Sequence, residues 1–310
     1  MQDRLAQARA HFSHPSAIFG NWVPLGPEYP LLNEYLTATA VTIMFALLYY
    51  FVVSTLLYLI YNIWYKKKFT PRQEELRYEP ETFYHDIKWS VLNILGQAPL
   101  VSLIKLGYPY YSKIQYEFHF TPIVLLYLFF HIVYDEFLTY WAHRLLHHPT
   151  IYRYLHAVHH KSKAVTPFTG FAFHPLDAFI QAVPVFTSCY FIPIHINIVL
   201  AHGMLTSLWA FSIHDNVNMV PFKGILYAGS HSIHHYPWGE NYNYGKFTSI
   251  CDRLYGSYCD PEAITGYGYT PPAPWLNFIQ HLNIIFTTLV PDRGVRIVGK
   301  IRQLYSKKIE

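Results

Sequence analysis

Residues 143–160 read HRLLHHPTIYRYLHAVHH, and the rest of the chain is organised around this stretch. It holds His143-x-x-x-His147 and His156-x-x-His159-His160; a third motif, His231-x-x-His234-His235, follows after a long apolar interval. On a helix, side chains three and four residues apart share a face, so each motif is expected to aim its imidazoles at one point. Imidazole is neutral at pH 7 and is the commonest side-chain ligand for iron and zinc. With 19 His in 310 residues, one HxxxH arises by accident in roughly every such chain, whereas two HxxHH motifs together arise roughly once in several hundred. Any one of these histidines, taken alone, reads equally as a polar residue near a helix end. Taken together, the eight motif histidines read as metal ligands.

The setting is a membrane. Hydrophobic residues make up 52% of the chain and aromatics 18%, while charged residues reach only 14%, well under the usual quarter. A net charge of +4 without a basic face excludes nucleic acid as a partner. Three cysteines without a CxxC pattern exclude an iron–sulfur cluster, c-type haem or a disulfide framework. No short signal peptide opens the chain.

Residues 1–35 read as a polar N-terminal arm, in which His11 and His14 are solvated. Residues 36–65 carry no charge, are long enough to cross a bilayer, and end in Tyr and Trp before Lys66-Lys67-Lys68. Residues 66–83 form a polar linker. Residues 84–107 are a weaker span, interrupted by Lys88, Asn93, Gly96 and Pro99, and read as kinked or re-entrant. Residues 121–142 are a strong helix opening at Pro122. Residues 176–213 break near Pro193 and predict a hairpin of two spans of about eighteen residues each. The third motif lies on a short helix ended by Pro237 and Gly239. The tail carries a modestly apolar helix over 276–290 and ends Lys307-Lys308-Ile309-Glu310. The expected organisation is thus an arm (1–35), an N-terminal transmembrane region (36–120), a His-rich domain (121–260) and a tail (261–310). The fold class is an all-α integral membrane bundle capped by a His-rich helical domain. Every His motif begins just past the end of an apolar span, so all three fall on one face.

Eight imidazoles exceed the four that close a structural zinc. Two metals sharing eight to ten His ligands is the natural count, and a nitrogen-rich dinuclear site beside a membrane suits iron that activates O₂. His174 and His214, at boundaries between apolar and polar sequence, are further candidate ligands. His148 points off the shared face, and His131, His195 and His202 read as structural. Neutral ligands leave cation charge to be balanced nearby. Asp135, Glu136, Asp177, Asp215 and Asp252 are candidates for that role, each with an alternative as cap or salt-bridge partner. Lys66, Lys67, Lys68, Lys161 and Lys163 form a candidate basic patch beside the metal face.

The motifs, in this order, resemble the fatty acid hydroxylase/sterol desaturase superfamily, and within it the Δ7-sterol C5(6)-desaturases. The resemblance is carried by Tyr140-Trp141-x-His143-Arg144-x-x-His147, Tyr154-Leu155-His156-Ala157-x-His159-His160, and Thr166-Pro167-Phe168 with Ala172-Phe173-His174-Pro175-Leu176-Asp177. It continues through Ile213-His214-Asp215, Ala228-Gly229-x-His231-x-Ile233-His234-His235 and Asn243-Tyr244-Gly245. It covers residues 120–260 well and the preceding spans loosely. His148 departs from members that carry an acidic residue there. The resemblance implies an endoplasmic reticulum enzyme with two iron ions on the cytosolic face. Its electrons come from NAD(P)H through cytochrome b5 and its reductase, and its partners are a sterol, O₂ and the bilayer. It implies formation of the sterol C5=C6 double bond, with both oxygen atoms leaving as water. A sterol C4-methyl oxidase or lipid hydroxylase on the same scaffold is the alternative, and a metal transporter is a third reading. Phe168, Phe171, Phe173, Trp209 and Phe211 are candidates to wall a flat sterol. The positive-inside rule predicts five crossings, with the N-terminus lumenal and the His motifs and C-terminus cytosolic.

Overall fold

A computed structural model describes residues 30–64, 80–215, 222–260 and 273–292. The polar arm up to residue 29, Lys66-Lys67-Lys68 and the Lys307-Lys308-Ile309-Glu310 ending lie outside the described residues. Among those residues the regular structure is helical, apart from two isolated β-bridges. The main helices are α1 (Pro30–Leu57), α2 (Pro80–Leu106), α3 (Pro122–Leu146), α4 (Pro175–Thr187), α5 (Ile196–Ile213), α6 (Ala228–His235), α7 (Ile250–Leu254) and α8 (Ala273–Leu289). A wider π-helical stretch, Tyr58–Trp64, extends α1. Among the described residues, four helices are long and apolar enough to cross a membrane: Leu31–Trp64, α2, α3 and α5. The chain is a multi-pass membrane protein.

Two expectations change. Residues 84–107 are not broken; α2 runs unbroken for 27 residues with Pro99 inside it and is long and apolar enough to cross a membrane. Three of its polar side chains are turned inward, where they hold other backbone. Ser90 donates to the Phe168 carbonyl at 3.2 Å, Asn93 to Phe171 at 3.0 Å, and Gln97 to Ala178 at 3.0 Å. Ser90, Asn93 and Gln97, which weaken the hydropathy signal, are thus packing contacts whose donors find backbone partners.

The hairpin over 176–213 exists, but its outward leg is short. Helix α4 has 13 residues, about 20 Å at 1.5 Å per residue, against roughly 30 Å of hydrocarbon. The remaining distance is covered by a 3₁₀ turn, Ser188–Tyr190, and extended chain. That chain pairs with the loop after α2: the Gln115 N–H donates to the Ile194 carbonyl and the Ile196 N–H to the Gln115 carbonyl. Among the described residues, four of the five expected spans are thus membrane-length helices, and the fifth traverse, from the imidazole end to the start of α5, is made by a short helix, a 3₁₀ turn and extended chain.

Helix α4 begins halfway along α2. Gly96 lies so close to Pro175 that an added Cβ would stand 2.6 Å from the proline Cβ. The 3₁₀ segment Pro167–Phe171 wedges between α1, α2 and α5. There Phe168 packs with Tyr50, Ile94 and Phe211, and the Tyr50 hydroxyl donates to the Phe168 carbonyl. A second apolar cluster, around Tyr108, Ile114, Cys189 and Ile196, closes the opposite end. The polar His-rich segments are thus sunk into one half of the bundle.

Candidate metal centre

Nine imidazoles converge at the end of the bundle where α3 and α5 finish. They form two groups that could each hold a metal ion. In one, His143, His147, His156, His160 and His234 bring ligand nitrogens to within 4.8 Å of one another; in the other, His159, His214, His231 and His235 do the same. The groups adjoin, since the rings of His160 and His235 stack at 4.8 Å.

The motifs do not each aim at one point. His156 and His160 enter the five-imidazole group while His159 enters the other; His231 and His235 share the four-imidazole group while His234 crosses to the first. At 100° per residue, positions i and i+4 differ by about 40° around a helix, but i+3 and i+4 differ by 100°. On α6 the doubled histidine at the end of the HxxHH motif therefore divides its ligands between two neighbouring points, and the turns that carry His156–His160 divide theirs in the same way.

Local structure fixes these positions. Helix α3 carries His143 on its last turn and ends at His147. His148 caps the next helical turn through its Nδ1 and takes no place in either group. Residues 153–161 run as turns and a short 3₁₀ segment rather than as a continuous helix. Helix α6 delivers the third motif and stops at Tyr236. Gly239 lets the chain fold back on it, since a Cβ there would stand 1.9 Å from the Ile233 carbonyl oxygen. His214 ends α5.

The ring nitrogens argue for metal. His143 Nδ1 donates to the Tyr244 carbonyl at 2.8 Å, His234 Nδ1 to Tyr242 at 2.6 Å, and His156 Nδ1 lies 2.7 Å from Asp177 Oδ2. In the second group His235 Nδ1 donates to Ser162 at 3.0 Å and His214 Nδ1 to Ala210 at 2.5 Å. A carbonyl can only accept, so each such proton sits on Nδ1 and the neutral ring leaves a lone pair on Nε2. Yet Nε2 of His143 faces Nε2 of His234 at 3.0 Å and that of His156 at 3.1 Å. His214 and His231 meet likewise at 2.9 Å. Lone pairs at this range repel unless a cation lies between them, and outer partners on Nδ1 are the usual companions of metal-binding imidazoles. Two nitrogens at right angles on one ion, each about 2.1 Å away, are about 3.0 Å apart, close to the spacing found here. The donor set fits a borderline metal such as iron.

Burial, reinforced by neighbouring imidazoles, pushes His147, His159, His160, His231, His234 and His235 well below their ordinary pKa. These rings are neutral at pH 7 and ready to bind metal without first losing a proton.

The other candidates separate clearly. His174 joins neither group; it caps α4 by accepting from the Leu176 N–H and lies beside Trp89. Asp177 partners His156, with both side chains fully buried. Asp252 accepts from the N–H groups of Tyr244 and Gly245 and from Ser257, supporting the carbonyl that holds His143. Asp135 and Glu136 touch no imidazole of either group. Asp135 pairs with Lys246 at 2.8 Å, and Glu136 accepts from Phe247 and Thr248. Asp215 is buried beside His214. Phe173 stacks on His159 with ring centroids 3.9 Å apart. Phe168 belongs to the α1–α2 core, and Trp209 donates to the Lys246 carbonyl. Lys163 is paired with Glu240, while Lys161 is exposed.

Asp86 was not singled out in the sequence. Fully buried on α2, it accepts from Ser162 and from Thr169, and the Ser162 carbonyl holds His235. A carboxylate at the head of an apolar span was the one available signal.

A bundle of membrane-length helices holding two adjoining groups of anchored, buried imidazoles defines a multi-pass, histidine-rich protein whose imidazole groups could each hold a metal ion. The family model described as fatty acid hydroxylase matches residues 128–257, which include all nine imidazoles. The lathosterol oxidase of Homo sapiens is 30% identical over 271 residues, covering 85% of this chain and 87% of that protein. The Delta(7)-sterol 5(6)-desaturase of Gibberella zeae is 34% identical over 239 residues, 74% of this chain and 65% of that protein. That of Saccharomyces cerevisiae is 29% identical over 251 residues, 78% of this chain and 66% of that protein. The matched stretch thus falls just short of two thirds of the length of these fungal relatives. No solved structure matches. The chain belongs to the fatty acid hydroxylase family, together with the lathosterol oxidases and Delta(7)-sterol 5(6)-desaturases with which it aligns.

Proposed function

We propose that this protein is a sterol desaturase that introduces the C5=C6 double bond into a Δ7-sterol. The observation that carries the reading is the pair of adjoining imidazole groups at the end of a membrane bundle, in a chain aligned along most of a lathosterol oxidase. The substrate gives up two hydrogens and O₂ leaves as two waters. The other two electrons come from NAD(P)H through cytochrome b5 and its reductase, with two protons from solvent.

His143, His147, His156, His160 and His234 would hold one iron ion, and His159, His214, His231 and His235 a second. Bound iron would supply the O₂-dependent oxidation that an unactivated C–H bond requires. The chain itself orients the ligands and excludes water. The carbonyls of Tyr242, Tyr244, Ser162 and Ala210, and the Asp177 carboxylate, fix ring orientation. Most of the ligand rings are buried, so an oxidising site would be shielded from bulk water. Because the His-rich half is sunk among the spans, a sterol could reach it from the bilayer. The reading places the protein in the endoplasmic reticulum, with both groups facing the cytosol; Lys66-Lys67-Lys68 after the first span supports that orientation. Cytochrome b5 would meet the face bearing Lys161. Charge reversal there should raise the apparent KM for cytochrome b5 and weaken its salt dependence.

Expression in yeast lacking its own C5-desaturase, followed by sterol profiling, tests the reading. Appearance of a Δ5,7-sterol supports it. An oxidised C4-methyl group or a hydroxylated sterol would assign the scaffold to C4-methyl oxidation or lipid hydroxylation instead.

A further inference from the structure

Asn243 is the one residue other than glycine with a left-handed backbone among those described, at φ 56°. It sits between the two carbonyls that hold opposing rings of the five-imidazole group. Tyr242, before it, accepts the His234 Nδ1 proton at 2.6 Å; Tyr244, after it, accepts that of His143 at 2.8 Å. The free nitrogens of those two rings face each other at 3.0 Å. A single turn in the chain thus aims two imidazoles at one point.

The turn is locked from every side. The Asn243 amide nitrogen donates to the Ser230 carbonyl and to the Cys259 carbonyl, both at 3.1 Å, and its oxygen accepts from the Cys259 N–H at 2.9 Å. Its own N–H donates to Ser257 at 2.8 Å, and Asp252 receives the next two N–H groups. Ser230 precedes His231 on α6, so the same amide ties the turn to the helix that carries the third motif. Asparagine enters the left-handed region more readily than other residues with a side chain, and a buried amide with its partners in place holds one geometry.

We infer that Asn243 is the positioning residue of the five-imidazole group, setting the directions of His143 and His234 through the carbonyls on either side of it. The inference rests on reading that group as a metal site. It predicts a much larger effect on that group than on the other, to which the amide is tied only through the Ser230 carbonyl; a residue that merely closes a surface turn would not show this difference.

The full chain, purified in detergent and stripped of metal, would be titrated with ferrous iron under anaerobic conditions. Iron per chain and affinity by chelator competition are the readouts. Wild type should bind two irons. Asn243→Ala, which loses both the backbone preference and the amide, should weaken one of them at least tenfold and leave the other within threefold. Asn243→Gly keeps the backbone freedom and should fall between the two. In a His231→Ala background, where the four-imidazole group is already impaired, Asn243→Ala should remove the remaining tight iron. Should Asn243→Ala fail to accumulate, Asn243→Gly and Asn243→Asp, which loses the two donors, carry the same comparison. Two irons bound as tightly as in wild type by these variants would overturn the inference, as would equal weakening of both. A wild-type chain that binds only one iron would overturn the two-metal reading instead. Asn243 would then be upheld by a tenfold loss of that iron and overturned by none.

Discussion

Asp177 and His156 are both fully buried and meet at 2.7 Å, so the carboxylate fixes which nitrogen of that ring is left to bind. Removing such an outer partner typically costs ten- to a hundredfold in metal affinity. Asp177→Ala should therefore weaken iron binding by that range, with Asp177→Asn, which can still accept, affected less; chelator competition reads the difference. Phe173 calls for a different measurement. It lies flat on His159, whose Nδ1 has no hydrogen-bond partner, so stacking takes the place of the hydrogen bond that anchors other rings. Phe173→Leu should lower iron retention, Phe173→Tyr should preserve it, and a change confined to the sterol KM would favour the substrate-wall role instead. At this scale the sequence was largely legible. Histidine spacing marked eight of the nine imidazoles, and a boundary position marked His214. His174 looked equivalent to His214 because both stand at such boundaries, but one begins a helix and turns back to cap it, while the other ends a helix and reaches inward. Asp86 was hidden because its partners, Ser162 and Thr169, lie far along the chain.

Helix pairs show where hydropathy misleads. On α2, Ser90, Asn93, Gly96 and Gln97 lower the apolar score, and all four face the segment 167–178. Sequence alone could not separate polar groups that break a span from polar groups that pack one. The same contacts define a test. Gly96→Val would thrust a side chain into Pro175 at the α2–α4 crossing, an overpacking that typically costs about 1–3 kcal/mol. The thermal midpoint of the detergent-solubilised protein should fall accordingly. The carboxylates of α3 were legible as facing protein, but not that Asp135 would face Lys246 and Glu136 the backbone of Phe247 and Thr248. Lys246→Ala would leave Asp135 buried without its cation, and breaking such a pair typically costs about 3–5 kcal/mol. The double variant Asp135→Asn/Lys246→Met should recover much of that loss. A double variant no better than the single one would show that the ion pair is not the source of the effect.

At the scale of the whole molecule, the class was legible: apolar spans with His motifs at their ends that meet on one face. The make-up of the outward leg of the hairpin was not, because 176–190 is apolar enough to span and simply too short to do so as helix. The loop at 107–121 and the imidazoles lie at opposite ends of the bundle. A glycosylation acceptor introduced near residue 112 should be modified in microsomes, and one near 154 should not; the reverse pattern would turn the protein over. Helix α5 adds a constraint of a different kind. Its 18 residues reach only about 27 Å, and the leg before it is shorter still. The longer helices can tilt to suit a range of lipids, but α5 cannot stretch. The hydrocarbon layer of the endoplasmic reticulum is also about 27 Å, against roughly 32–33 Å at the plasma membrane. The hairpin thus acts as a gauge of bilayer thickness. In nanodiscs of graded acyl-chain length, turnover should peak near the thinner value and decline as the chains lengthen, so that this protein works best in the membrane whose thickness it matches.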